Sequence, residues 1–350
     1  MITVLSDQHR EVQALARDFA RNEVAPNSAR WNADHHAPVE TLLKMADLGF
    51  LGIIIPEEYG GAGLDHLTIC LVMEELAAAD AGFSTGFAVQ NGLGPEPLLN
   101  YGTDQQKERY LPAIASGERF CSYALTEPDA GSDVAGLKTR GVKQPDGSYA
   151  ISGNKMWITA GGYASLFIIF ARTEGPGARG ITAFVGESGP GLTVGQEIHK
   201  LGLHSSSTVE LAFDGYHLDA EAMLGSPGQG MQIALSTLDS GRITVAAQAV
   251  GIARAALDLA TGYAKERTAF GGPIARFQGV QFPLADVAAK IDAARALTLQ
   301  AAPMHDAGES ISVIGAKAKL FASSVAVEAS NVAVQTLGGM GYSAEFPAER

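Results

Sequence analysis

The chain has 350 residues, too many for one ordinary hydrophobic core, so two or three domains are expected. Its 46% hydrophobic content suits a soluble globular protein. A net charge of −13, with no local basic stripe, excludes a phosphate-backbone partner by repulsion.

Residues 1 to about 120 carry helical spacing, first in Val12, Leu15 and Phe19, later in Leu67, Leu71, Val72 and Leu76. This amphipathic start leaves no room for a leader peptide, and no apolar run approaches a membrane span; a cytoplasmic location is the expectation. Pro56 and the Gly60–Gly61 pair separate helices. Cys70 and Cys121 are far apart in apolar surroundings and read as buried free thiols, not as a disulfide or metal ligands. From about 121 to 225 the pattern becomes short β-branched and aromatic runs, such as Leu166–Phe170, Ile181–Val185 and Val209–Phe213, set between Gly/Pro clusters. After Pro227 and Gly228 the chain turns helical again. One long helix is expected from about Met231 to Arg267, and two more at about 279–304 and 309–337. The fold class is therefore α+β: an N-terminal α-helical domain over 1–120, a middle β-domain over 121–225 and a C-terminal helical domain over 226–350.

Three segments carry chemistry. Tyr123–Gly136 runs from an apolar entry (Ala124, Leu125) into Thr126, then through Pro128, Gly131, Ser132 and Gly136. Such a turn exposes peptide N–H groups and hydroxyls, and its glycines admit close approach of a ligand. Gly153–Thr159 places Trp157, Ile158 and Thr159 together after a hairpin. An aromatic cover and a few hydrogen-bond donors are what a buried redox ring needs, although an isolated Trp157 also reads as a core aromatic. Gln335–Tyr342 ends a helix in Gly338–Gly339, a common way simply to stop one. No strand–Gly-x-Gly-x-x-Gly–helix unit is present, which argues against a nicotinamide cofactor.

In this order and spacing, over essentially the whole chain, the three segments resemble the flavin-dependent acyl-CoA dehydrogenase family. The resemblance implies an α-domain, a β-domain and a four-helix C-terminal domain, with FAD as cofactor. It implies flavin contacts from Tyr123, Leu125, Thr126, Gly131 and Ser132, and from Trp157, Ile158 and Thr159, the indole covering a flavin face. It also implies that Arg267, Phe270 and Gln278, with Gln335, Gly338 and Gly339, reach the FAD of a neighbouring subunit, hence a homotetramer. Asp239 and Arg242, with Ser132, would border the acyl-CoA; by spacing alone Asp239 and Arg242 are equally an ion pair on a solvated helix face. The implied electron acceptor is an electron-transfer flavoprotein.

Two positions depart from the family pattern: Ala160 stands for a frequent asparagine, and His204 for a frequent arginine. We read His204 as structural. The α-proton of the thioester must leave to a carboxylate. The family's usual glutamate falls beyond Arg350, and the alternative position on the long helix is Gly241. Glu127 and Asp133 belong to the flavin turn. The expectation is that the sequence is shortened at its C-terminus. The alternatives are a base-less flavin-dependent monooxygenase of this fold or a non-catalytic acyl-thioester-binding subunit.

Overall fold

The computed structural model describes residues 4–350. The N-terminal part is helical: α1 (Asp7–Phe19), a π-helical turn (Ala20–Val24), α2 (Ala25–Asp34), α3 (Val39–Lys44), α4 (His66–Ala79), α5 (Ala81–Ala88), α6 (Pro95–Tyr101) and α7 (Asp104–Ala115). Their starts are written in the sequence. The Ser6 hydroxyl accepts the His9 N–H at 3.1 Å, Asp65 accepts that of Thr68 at 2.8 Å, and Thr103 that of Gln106 at 3.2 Å. Each satisfies an amide that the first helical turn leaves unpaired.

Eight strands follow: β1 (Cys121–Ala124), β2 (Arg140–Lys143), β3 (Tyr149–Thr159), β4 (Leu166–Arg172), β5 (Ile181–Glu187), β6 (Leu192–Glu197), β7 (Thr208–Leu218) and β8 (Met223–Leu224). They form one sheet in the order β6-β7-β3-β2-β4-β5-β8, with β1 parallel to β4. Then come α8 (Gly230–Glu266), a two-residue-per-strand hairpin of β9 (Thr268–Ala269) and β10 (Gly272–Pro273), α9 (Gln278–Asp306) and α10 (Ser312–Leu337). The three long helices fall within a few residues of the spans that periodicity indicated.

Packing divides the chain into two compact units, each discontinuous in sequence. The first comprises the chain up to Asp34, Asp65–Ser84 and Arg242–Arg350. Its core is an alanine-rich seam in which Ala246, Ala249 and Ala253 of α8 meet Val287 and Ile291 of α9 and Ala318, Ala322 and Val325 of α10. Small side chains let these helices approach closely, so each methyl is in contact from several sides. At α4, the buried carboxylates of Glu74 and Glu75 are met by three arginines. Arg254 reaches both at 2.7 Å, Arg295 reaches Glu74 at 2.7 Å, and Arg17 reaches Glu75 at 2.9 Å.

The second unit comprises His35–Leu64 and Thr85–Gly241 and contains the eight-stranded sheet. Strand β4 is buried on both faces. Leu166, Ile168 and Phe170 point into one cluster with Leu111, Ile114 and Val185; Phe167, Ile169 and Ala171 point into another with Tyr149, Phe184 and Leu211. This explains the near-continuous apolar run of β4, since a strand covered on both sides has no solvent face to alternate with.

Cys70 and Cys121 are buried free thiols, and burial pushes both thiols well above their ordinary pKa. The membrane reading is corrected in one respect. By length and composition α8 could cross a bilayer, but 56% of its most apolar stretch is buried inside the protein, the placing of a core helix.

Candidate functional site

The sheet-bearing unit brings together two of the three chemical segments. The pairing of β3 with β7 shifts register between Lys155 and Ile158. A bulge of this kind re-aims a side chain. Here it gives Trp157 a left-handed backbone (φ 62°) and turns its indole outward, 52% exposed. Trp157 is therefore not a core aromatic. Beside it the Met156 N–H donates to the Thr126 carbonyl at 2.9 Å, which docks the turn after β1 against the bulge. The Ser122 hydroxyl donates to the Thr159 carbonyl at 2.5 Å and fixes the end of β3 to β1.

The side chains of Thr126 and Thr159 are half-buried, and Gly131 and Ser132 are exposed. The hydroxyls of Thr126, Ser132 and Thr159 make no hydrogen bond among the described residues. An exposed indole beside uncommitted hydroxyls is a surface built to receive a flat polar ring.

Tyr123, Leu125 and Ile158 behave differently. All three side chains are core: Tyr123 packs on Phe170 with ring centroids 4.9 Å apart, Leu125 joins the same cluster, and Ile158 is 1% exposed.

Sequence reasoning missed what holds this surface together. Lys155 is fully buried, and its ammonium donates to the Leu125 carbonyl at 3.0 Å and to Glu127 Oε1 at 2.9 Å. The Glu127 carboxylate also accepts the Lys138 N–H at 2.5 Å and the Thr139 N–H at 2.9 Å. Burial pushes the Lys155 ammonium down to about 8 against the pull of Glu127. Burial acts to raise Glu127, but Lys155 and the amides outweigh it and hold the carboxyl below its usual range.

Asp239 and Arg242 are half-buried in α8, and each is engaged in an interaction. Between them, Ser240 donates to the buried Glu96 carboxylate at 2.5 Å. A side chain at Gly241 would meet only Leu93 Cδ2, at 3.9 Å. His204 stacks on His35 at 4.1 Å, and its Nε2 lies 2.9 Å from the Lys200 carbonyl, a structural placement.

The remaining expected residues lie in the helical unit. Arg267 and Gln278 are exposed, and Phe270, at the hairpin tip, is 90% exposed with φ 51°. Gln335 lines a groove of about 680 Å³ with Gly279 and Val280, so it sits beside the first turn of α9, which Gln278 opens. Gly338 ends α10 with φ 60°, and Gly339 follows it, exposed.

Models of the acyl-CoA dehydrogenase N-terminal, middle and C-terminal domains match residues 6–118, 122–216 and 228–350. The chain belongs to the acyl-CoA dehydrogenase family.

It is 41% identical to the mitochondrial short-chain specific acyl-CoA dehydrogenase of Mus musculus, over 99% of this chain and 84% of that protein. The butyryl-CoA dehydrogenase structure from Megasphaera elsdenii superposes with a TM-score of 0.98 at 41% identity, covering 100% of this chain and 93% of that one. A chain from a structural study of the electron transferring flavoprotein of Acidaminococcus fermentans superposes equally well, at 0.98 and 42% identity, covering 100% and 92%.

Membership makes this an FAD-dependent oxidoreductase acting on acyl-CoA. The Trp157–Thr126–Thr159 surface has the chemistry that a flavin ring needs. The matches run along essentially the whole chain.

Proposed function

We propose that this acyl-CoA dehydrogenase oxidises short-chain acyl-CoA thioesters to their α,β-unsaturated forms and passes the electrons to an electron-transfer flavoprotein. The observation that carries it is the outward indole of Trp157 beside the uncommitted hydroxyls of Thr126 and Thr159. The relatives named for short-chain and butyryl substrates support the chain length, and the study of an electron transferring flavoprotein supports the acceptor.

Bound FAD would supply the acceptor for hydride from the substrate β-carbon. The protein's part is positional. Trp157 covers the ring and keeps water from one face. Thr126 and Thr159 offer hydroxyl donors to its polar edge, where they stabilise charge that develops on reduction. Ser132, Asp239 and Arg242 border the thioester. Gly241 carries no carboxylate, so that position of α8 does not supply the proton acceptor.

The same reading makes the protein a homotetramer. Val313, Leu320 and Val327 recur every seven residues on α10 and are 65%, 69% and 64% exposed. An apolar stripe of that kind is a surface for another subunit. Arg267, Phe270, Gln278, Gln335, Gly338 and Gly339 would then reach the partner's cofactor.

The test is anaerobic titration of the purified flavoprotein with butyryl-CoA. Bleaching of the flavin band and re-oxidation by electron-transfer flavoprotein are expected. Binding of the thioester without bleaching would instead identify a non-catalytic binder, and oxygen uptake by the reduced flavin a monooxygenase.

A further inference from the structure

We propose that the buried Lys155–Glu127 pair is a clasp that positions Thr126 and Trp157 against the flavin ring, making both members positioning residues. The inference deepens the flavin assignment above and rests on it.

The clasp joins three backbone segments that share no strand pairing at these residues. Lys155 lies in β3 two residues before Trp157 and holds the Leu125 carbonyl, one residue before Thr126. Its ammonium also binds Glu127, one residue after Thr126, so Thr126 is pinned from both sides. Glu127 in turn accepts the amides of Lys138 and Thr139. That closes the loop carrying Gly131 and Ser132, which opens with the tight turn of the Glu127–Ala130 bridge.

The rest of the local bonding is thin. One backbone bond, Met156 N–H to Thr126, links the turn directly to the bulge, and the bulge itself carries a non-glycine residue at φ 62°. A side chain in the left-handed region persists only when its surroundings over-determine it. A buried ion pair is also a poor choice for stability alone, because an apolar pair of like volume is often as stable or more so. Its geometric exactness is what an apolar pair lacks: an ammonium and a carboxylate fix directions, and methyl groups do not.

The test compares apoprotein variants by FAD dissociation constant, flavin visible circular dichroism and melting temperature. Lys155→Met and Glu127→Gln are expected to weaken FAD binding at least tenfold and to alter the flavin dichroism. The double variant Lys155→Met/Glu127→Leu replaces both charges with apolar groups and should regain melting temperature without regaining FAD affinity or the wild-type dichroism. That split separates positioning from stability. If Lys155→Met does not fold, Glu127→Gln and the double variant decide on the same measures.

The proposal is overturned if the single variants bind FAD within threefold of wild type with unchanged dichroism, or if the double variant recovers affinity together with stability. Wild-type protein that took up no FAD would overturn the flavin assignment and this inference with it. Normal wild-type binding alongside unaffected variants overturns this inference alone.

Discussion

Two aromatic residues sit where backbone sterics disfavour any side chain. Phe270 is the sharper case: φ 51°, and almost wholly exposed, so no burial within its own chain offsets the strain. The left-handed region costs about 1–2 kcal/mol for an ordinary residue, whereas asparagine visits it routinely. Against that, Phe270 makes one edge contact with Phe277, centroids 5.9 Å apart. Phe270→Asn is therefore expected to raise the unfolding free energy in urea by about 0.5–1 kcal/mol while FAD retention falls. A destabilised variant would show that the position is not strained. Lys155 gives a pH prediction. Its folded pKa is depressed below the unfolded value, so the unfolded chain binds more protons between the two. Stability from this group is fully present above the unfolded lysine range and is lost as pH falls through about 8. The difference in unfolding free energy between wild type and Lys155→Met, measured from pH 7 to 10.5, should shift in favour of wild type as pH rises. Trp157, Thr126 and Thr159 were legible as a motif because their chemistry is rare in company. Lys155 was not, because a lone lysine in a strand reads as solvent-facing. The available signal was parity: Lys155 shares the inward face of β3 with Ile151, and a carboxylate stands ready in the neighbouring turn.

At the scale of elements, two of the glycines in α8 have opposite meanings. Beside Gly241 a methyl would meet only Leu93 Cδ2 at 3.9 Å. Gly241→Ala should then recover the helical propensity that glycine gives up, about 0.5–1 kcal/mol of added stability. At Gly251 the same methyl would collide with the Glu74 carbonyl oxygen and lie 2.9 Å from Ala77 Cβ. Gly251→Ala should cost about 1–3 kcal/mol, since two helix backbones would have to separate. Thermal melts of the two variants must move in opposite directions for this account to stand. The ends of α8, α9 and α10 were readable from apolar period and glycine punctuation. The reason for Gly251 was not, because it depends on α4, which lies far away in sequence.

For the whole molecule, the proposed assembly is tested at the heptad-spaced stripe on α10. Leu320→Lys puts a charge in its centre, and light scattering should show a species smaller than the wild-type oligomer, with the circular dichroism of the fold retained. An unchanged mass would remove the stripe from the interface. Alternation and period revealed helices, sheet and helices in order, but not that packing regroups them into two discontinuous units. That regrouping rests on pairs such as Arg254 with Glu74 and Glu75, and no local pattern announces a partner 179 residues away. The arrangement also sets a clock on biosynthesis. When α4 leaves the ribosome, the arginines of α8 and α9 that will neutralise Glu74 and Glu75 have not been made. At about 5–20 residues per second, roughly 10–35 s separate the synthesis of Glu75 from that of Arg254. During that interval Arg17 is the only one of the three arginines available, to Glu75, and Glu74 must stay in water. Helix α4 is thus translated early but completes its native packing only after α8 and α9 have been made.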